Sequence, residues 1–559
     1  MIGIDYRKKS IMNMNPFLLT DFYKLTHILQ YRSELRELTS YLTPRGSRLK
    51  GVDKVVFFGL SAYVHSYVVE NFNKNFFNRT WEEVFEEIYD VLTNGLGYTF
   101  PMKDRTCKEI QSLHELGYLP VEINAVAEGT LVPMGVPCVE IKSTNPKFFW
   151  VGQALEASLS AAIWHPMVSA TIAREYRKIA RDAFSATVEN GIDERVAMCD
   201  FSMRGQESNE SAVNASVAWL TSMWNSSTVA ARKHIKDVYG KCDGNVRGFT
   251  STEHSVMTSH ACLDGGDEIP TFKYLFNLYK NVSFAAVCDS YDFWNVLTNI
   301  LPNNFMNEID ERGKRGVFIG VRHDSAEPVD ALCGIPYYHF DENDFVVCTG
   351  MNGMKFYNDS GNVYEIVDCK LVNLNRPRTW KEKGMVETMY EIFGGTVNSK
   401  GYKVLNPGIK AVYGDSITIT RAKKIYERLA AKGFAANNVS LGVGSFSFQA
   451  LENEDGTLSP FTRDTFSIAC KTTHSKYVDE YGTVCERWVY KSPKNFSQKK
   501  SQRGLCRIFF NEDGELTYED EKYENDLIGV NSALIPYFKD GKEYKQNFEE
   551  IRNTVTENL

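Results

Sequence analysis

The sequence has little that would tie it to a membrane, a metal cluster or a nucleic acid. No stretch reaches the roughly 18 uninterrupted apolar residues that a membrane-spanning helix needs. The opening MIGIDYRKKSIMNMNPFLL has basic residues but no sustained apolar run behind them, so no secretory leader is expected. Twelve cysteines are spread over 559 residues, with no Cys-x-x-Cys pair and no Cys/His group at zinc spacing. Such scattered thiols are expected to stay reduced in a cytoplasmic setting. Triplets such as Asn225–Ser227 then read as incidental rather than as glycan acceptors. No Walker A sequence is present, so any use of ATP must be of another kind. The net charge of −8 argues against a general nucleic-acid binder, whose affinity comes from neutralised phosphates, but leaves room for a local basic pocket.

What is present is ordinary globular composition, 43% hydrophobic and 24% charged, in a chain too long for one core. Residues 57–72 and 150–184 carry apolar side chains at helical spacing, and Pro166 is expected to interrupt the second run. Between them, 119–146 alternates and is punctuated by Gly and Pro, which predicts strands. From about residue 195 short apolar runs end in polar residues, and several are followed by helical patterns: VAMCDFSMRG (196–205), SFAAVCDS (283–290), GVFIGVRHDS (316–325), IKAVYGDS (409–416) and NVSLGVGS (438–445). Repeated strand–loop–helix units predict a parallel α/β layout, whose ligands gather at the carboxyl ends of the strands. Those ends carry Asp200, Asp289, Asp324 and Asp415, with Arg204 and Arg322. Residues 335–385 alternate around Asp-Ser-Gly and Asn-Gly turns and read as a β-rich insertion.

Arg322 and Asp324 stand two apart, so in extended chain they face the same side; the plain alternative is a surface pair at a strand end. Carboxylates at several strand ends suit a polyhydroxylated or metal-complexed ligand. The GVGS turn (442–445) offers backbone N–H groups to a phosphate, or is an ordinary turn. The cationic stretch within 490–504 is an anion site or a solvated face. His254, beside Glu253, is a nucleophile, a general base or a structural histidine. Together these point to an anionic, ribose-bearing substrate in a β/α barrel.

The ordered motifs LLTDFYKLTH (18–27), FFGL (57–60), IWHP (163–166), FSMRG (201–205), TEHS (252–255), CDSYD (288–292), VRHDS (321–325), YGDS (413–416), GVGSFSFQ (442–449) and TRDTF (462–466) resemble the nicotinamide phosphoribosyltransferase family, from about residue 16 to the C-terminal region. The resemblance implies a type II phosphoribosyltransferase fold: an incomplete seven-stranded β/α barrel at 186–455, and an α/β domain built from 1–185 and 456–559. It implies a homodimer with shared active sites. It also implies a reaction in which nicotinamide and phosphoribosyl pyrophosphate (PRPP) give nicotinamide mononucleotide and pyrophosphate.

Residue by residue, the resemblance puts Phe201 on one face of the pyridine and Tyr23 of a second subunit on the other, with Asp21 near the base. Core packing is the alternative for both rings. Arg322 would donate to the exocyclic oxygen and Asp324 would face the ribose. Asp289 and Asp415, with Gly414 alongside, would surround the hydroxyls and the Mg²⁺–PRPP complex. Arg204, Gly444 and Ser445 match phosphate positions. Arg45, Arg463, Lys471, Lys491 and Lys499 match further anion positions, several reaching across the dimer. His254 matches a histidine phosphorylated by ATP, which would make ATP a coupling cosubstrate. Two positions depart from the family. Ser445 replaces a glycine, and Ser227 replaces the aspartate that accepts from the nicotinamide NH₂. The related nicotinate phosphoribosyltransferases tend to carry serine there, so nicotinate is the alternative base. A two-carboxylate glycosidase accounts for the acids but not for Arg322, Arg204 and the lysines, and a non-catalytic ligand-binding or signalling protein predicts no turnover.

Overall fold

The computed structural model describes residues 14–241, 246–338, 350–414, 416–453, 455–492, 501–557 and 559. The chain divides into two compact units, Met1–Thr171 with Lys233–Cys242 and Pro460–Leu559, and Ile172–Arg232 with Asp243–Ser459. The sequence reading put the first division at 185/186. The chain passes from one unit to the other inside an unbroken helix, Glu156–Thr187, so no change of composition marks the point. Pro166 does not interrupt that helix, contrary to expectation. A mid-helix proline costs about 3 kcal/mol. Here Pro166 is buried among Ile163, Met167 and Val168, which are fully buried. Its ring also occupies the space that a side chain at Gly59 would fill, and this packing offsets the lost backbone bond.

In the first unit a seven-stranded sheet runs in the order Val484–Trp488, Ala469–Val478, Leu35–Thr43, Val139–Ser143, Val121–Ala125, Ile535–Lys539, Lys542–Glu543. Every ladder is antiparallel. Strands from the two ends of the chain therefore share one sheet, as the α/β domain requires. The register is set by an apolar face on which Leu42, Val121, Ile123 and Ile141 are buried.

In the second unit we number the strands β1 (Met198–Asp200), β2 (Asn225–Ser226), β3 (Phe284–Val287), β4 (Ile319–His323), β5 (Ile409–Tyr413) and β6 (Val439–Val443). They form one parallel sheet in the order β2-β1-β6-β5-β4-β3. Residues 247–252 join both edges: Arg247 bridges Asn225 of β2, and Ser251 bridges Ala285 of β3. This is the seventh stave of the expected incomplete barrel, present as single bridges rather than as a strand. The strands are short, and β3 is wholly apolar (Phe284–Val287), as expected for a sheet covered on both faces. Polar residues gather at the carboxyl ends, with Asp200 closing β1 and Arg322 and His323 closing β4.

The described part of the insertion is an antiparallel meander, Lys355–Tyr357, Val363–Val367 and Lys370–Asn373. It has a small core of Phe356, Tyr364 and Ile366. Residues 339–349 of the segment lie outside the described residues, and by Trp380–Lys383 the chain is already helical. Among the described residues every cysteine is free, and no helix is long and apolar enough to cross a membrane.

Candidate active site

The site is built where β1, β4, β5 and β6 end. Arg322, next to last in β4, and Asp324, just past it, form a bidentate pair: Nε donates to Oδ1 at 2.8 Å and an Nη faces Oδ2 at 2.7 Å. The other Nη donates to Ser251 Oγ at 3.3 Å. The two side chains are only 12% and 16% exposed, so the surface-pair reading does not hold. Three of the five guanidinium N–H donors are thus engaged, and donors remain for a carbonyl oxygen. The pair lies across the end of β5 because residue 414 is glycine. A Cβ there would stand 2.4 Å from the Arg322 Nε and 2.5 Å from the Asp324 Oδ1. On β6, Gly442 does the same for the Phe201 ring, which a Cβ would meet at 3.0 Å. The Arg322 guanidinium carbon is 5.5 Å from the Phe201 ring centroid.

Arg322, Ser251, Gly414 and Phe201 border a cavity of about 460 Å³; Asp324, behind Arg322, is not among its lining residues. Seven residues expected from the sequence line it: Phe201, Arg204, Ser227, Arg322, Gly414, Gly444 and Ser445. Phe249, Ser251 and Thr252 line it too and were missed. The 247–252 segment is too irregular to show a strand period, and only its bridges bring it to the site. Ser445, in its glycine position, is accommodated by turning toward Gly205, where a Cβ would lie 2.1 Å from its Oγ. The space beside Gly444 stays open.

Asp200 is not a ligand-facing carboxylate, despite its place at a strand end. It is fully buried. Its Oδ1 accepts the Ser202 N–H at 2.8 Å, and its Oδ2 accepts the hydroxyls of Ser216 at 2.6 Å and Ser226 at 2.8 Å. Its role is to tie the end of β1 to β2 and to the helix Asn209–Trp219.

Asp289, past the end of β3, accepts on Oδ2 from the Asp324 N–H at 3.0 Å and from the Ser325 hydroxyl at 2.5 Å. Its Oδ1 is buried and has no hydrogen-bond partner among the described residues; the His254 Nε2 stands 3.8 Å away. Burial opposes ionisation of Asp289. The hydrogen bonds from Ser325 and Asp324, with the nearby His323 and His254 rings, outweigh it and hold the carboxyl below its ordinary range. Burial pushes the His323 imidazole the other way, below its usual value, against the pull of Asp289 and Asp324. His254 opens the helix His254–Ala261 with its side chain half exposed, and its Nδ1 lies 3.2 Å from Ser290 Oγ. A second cavity, of about 510 Å³, lies on the Asp289 and His323 side.

In the first unit, Asp21 precedes the helix Phe22–Gln30, and Tyr23 on that helix is 57% exposed. Arg45, Lys471 and Lys491 line a pocket of about 200 Å³ with Ser501. Lys471 is also held by Glu156 at 3.4 Å. Arg463 is not among the lining residues; it pairs with Asp464 at 2.6 Å and donates to the Ile468 carbonyl at 2.9 Å. Asp415 and Lys499 lie outside the described residues.

Residues 196–521 match the nicotinate phosphoribosyltransferase (NAPRTase) family, and residues 15–103 match the N-terminal domain of nicotinamide phosphoribosyltransferase. A nicotinamide phosphoribosyltransferase of Acinetobacter baylyi is 31% identical, over 98% of this chain and 98% of its own. One of Mycoplasma pneumoniae is 28% identical, over 83% of this chain and 90% of its own. The crystal structure of nicotinate-nucleotide pyrophosphorylase from Pyrococcus furiosus is similar with a TM-score of 0.50 at 13% identity, covering 99% of this chain and 97% of that one; the likeness is one of fold.

Proposed function

We propose, for a chain that belongs to the nicotinate phosphoribosyltransferase family, the transfer of a phosphoribosyl group from PRPP to nicotinamide. The products are nicotinamide mononucleotide and pyrophosphate, and the reaction serves NAD salvage. The observation that carries this reading is Arg322, paired with Asp324, set against the Phe201 ring in one cavity with Ser227. Phe201 supplies a flat face for the pyridine. Arg322 has N–H donors left for the carboxamide oxygen, and Asp324 holds its guanidinium in plane. As the bond to pyrophosphate opens, C1 of the ribose gains positive charge, which Asp324 and Asp289 stabilise. The ring nitrogen then bonds to C1 and becomes cationic above Phe201. No enzyme nucleophile is needed, because alignment of base and sugar supplies much of the rate.

Mg²⁺ held by the substrate diphosphate would supply charge neutralisation of the leaving group. Among the described residues no group of three His, Cys, Asp or Glu forms a metal cage, while the unpartnered Asp289 Oδ1 fits a single contact to such an ion or its water. Gly444 and Ser445 offer backbone N–H groups to the 5-phosphate. In the first unit, Arg45, Lys471 and Lys491 form a cationic pocket suited to an anion. ATP coupling through phosphorylation of the exposed His254, a homodimer in which Tyr23 of one copy serves the other, and a cytoplasmic setting belong to the same proposal. The test is a side-by-side assay of the purified chain with PRPP and either nicotinamide or nicotinate, each with and without ATP. Nucleotide formation from nicotinamide is expected; no nucleotide from either base would refute the reaction.

A further inference from the structure

We propose that Tyr413 is a positioning residue for the reaction: its hydroxyl clamps a strained turn after β4, and that turn holds Asp289 with one carboxylate oxygen left free for the ribose–diphosphate end of PRPP. This deepens the reaction proposed above and rests on it.

The strain has a local cause. The chain leaves β4 at His323 and opens the helix Pro328–Cys333 soon after. Pro328 confines Glu327 to extended backbone, φ −74° and ψ 123°. The change of direction therefore falls on Asp324, Ser325 and Ala326. Ala326 takes it up with a φ of +80°, a left-handed backbone that disfavours any residue with a Cβ and suits glycine. The Ala326 side chain is exposed, so its own packing does not sustain this conformation.

Tyr413 sustains it instead. The residue closes β5 directly opposite His323 and is 1% exposed. Its ring stacks on the His323 imidazole, with centroids 5.8 Å apart and planes 12° apart. Its hydroxyl donates to the Ala326 carbonyl at 2.6 Å, with the Ser325 carbonyl 3.2 Å away. His323 holds the same turn from within, since its Nδ1 accepts the Ser325 N–H at 3.2 Å.

The turn so held acts on Asp289. The Asp324 N–H and the Ser325 hydroxyl both donate to Asp289 Oδ2, at 3.0 and 2.5 Å. Two donors on one oxygen fix the plane of the carboxyl group. They leave Oδ1 buried and without a hydrogen-bond partner among the described residues. If Ala326 relaxed to an ordinary negative φ, Ser325 and Asp324 would shift and the carboxyl group would lose its orientation. Tyr413 reaches the substrate only through this turn.

The test is steady-state nucleotide formation with PRPP and nicotinamide each varied in turn. Tyr413→Phe keeps the ring and its stack on His323 but removes the hydroxyl. KM for PRPP should rise about five- to tenfold, the worth of one hydrogen bond, while KM for nicotinamide stays within about twofold. Adding Ala326→Gly to Tyr413→Phe should return KM for PRPP to within about twofold of wild type, because glycine holds the turn unaided. A merely structural tyrosine would lower kcat through the fraction of active enzyme and would not be rescued at a single exposed position. Ala326→Val, in the presence of Tyr413, meets only the backbone preference and should raise KM for PRPP about tenfold, whereas Ala326→Gly alone should not. This second pair decides if Tyr413→Phe does not fold. A Tyr413→Phe enzyme like wild type, a double variant no better than Tyr413→Phe, or equal behaviour of the valine and glycine variants would overturn the proposal while phosphoribosyl transfer stands. A wild type that forms no nucleotide removes the underlying reaction as well.

Discussion

Replacing Asp324 by asparagine isolates the contribution of one charge at the centre of the site. The carboxylate holds Arg322 through two charge-assisted contacts, at 2.8 and 2.7 Å, between side chains 12% and 16% exposed. Such a pair belongs with buried ion pairs, where removing one partner is costly, rather than with surface pairs of small worth. Asparagine can keep one contact by accepting from Nε, but its NH₂ then faces another donor. A charge-assisted hydrogen bond is worth about 1.5–3 kcal/mol, so the loss of one, placed at about 2 kcal/mol, corresponds to roughly thirtyfold in kcat/KM. The backbone should not move, because the Asp324 N–H donates to Asp289 and that bond survives the change. The assay is steady-state nucleotide formation with nicotinamide varied at saturating PRPP, paired with a thermal unfolding curve. A thirtyfold loss is expected, together with a lowered melting temperature because the buried guanidinium loses its counter-charge. A kcat/KM within threefold of wild type would refute the idea that Asp324 orients Arg322 for the base.

Three further perturbations address other parts of the site. Phe201→Leu keeps apolar bulk but loses the aromatic face, worth about 0.5–1.5 kcal/mol, so KM for nicotinamide should rise roughly two- to tenfold while KM for PRPP stays near wild type; equal changes in both would argue against stacking. Asp289 has its folded pKa below the ordinary carboxylate value of about 3.9. Its stabilising contribution is therefore complete above that value and lost as pH falls through the folded pKa. Urea midpoints measured from pH 6 down to 3 should show the wild type ahead of Asp289→Asn near neutrality and the gap closing below about pH 4; a constant gap would count against this. His254→Ala should abolish any stimulation by ATP and leave basal transfer, read as nucleotide formed with and without ATP; retained stimulation rejects a phosphohistidine.

The sequence alone determined the parallel strand–loop–helix order, the polar residues that close each strand, and the family, because each is written locally in short apolar runs and in motifs of fixed spacing. It also placed Arg322 and Asp324 on one side of the chain, since alternation in a strand is a property of the backbone. It could not tell that Asp200 is buried beneath the site while Asp324 pairs with the cavity-lining Arg322. Both stand at strand ends, and only the packing of Ser216 and Ser226 around the first separates them. Pro166 misled for a similar reason, because local sterics argue for a break and only burial in a packed core sustains the helix. Phe249 and Ser251 had no local signature at all. The hydrogen bond from the Ser227 hydroxyl to the Asp200 carbonyl, 27 residues away in sequence, likewise exists only once β1 and β2 lie side by side.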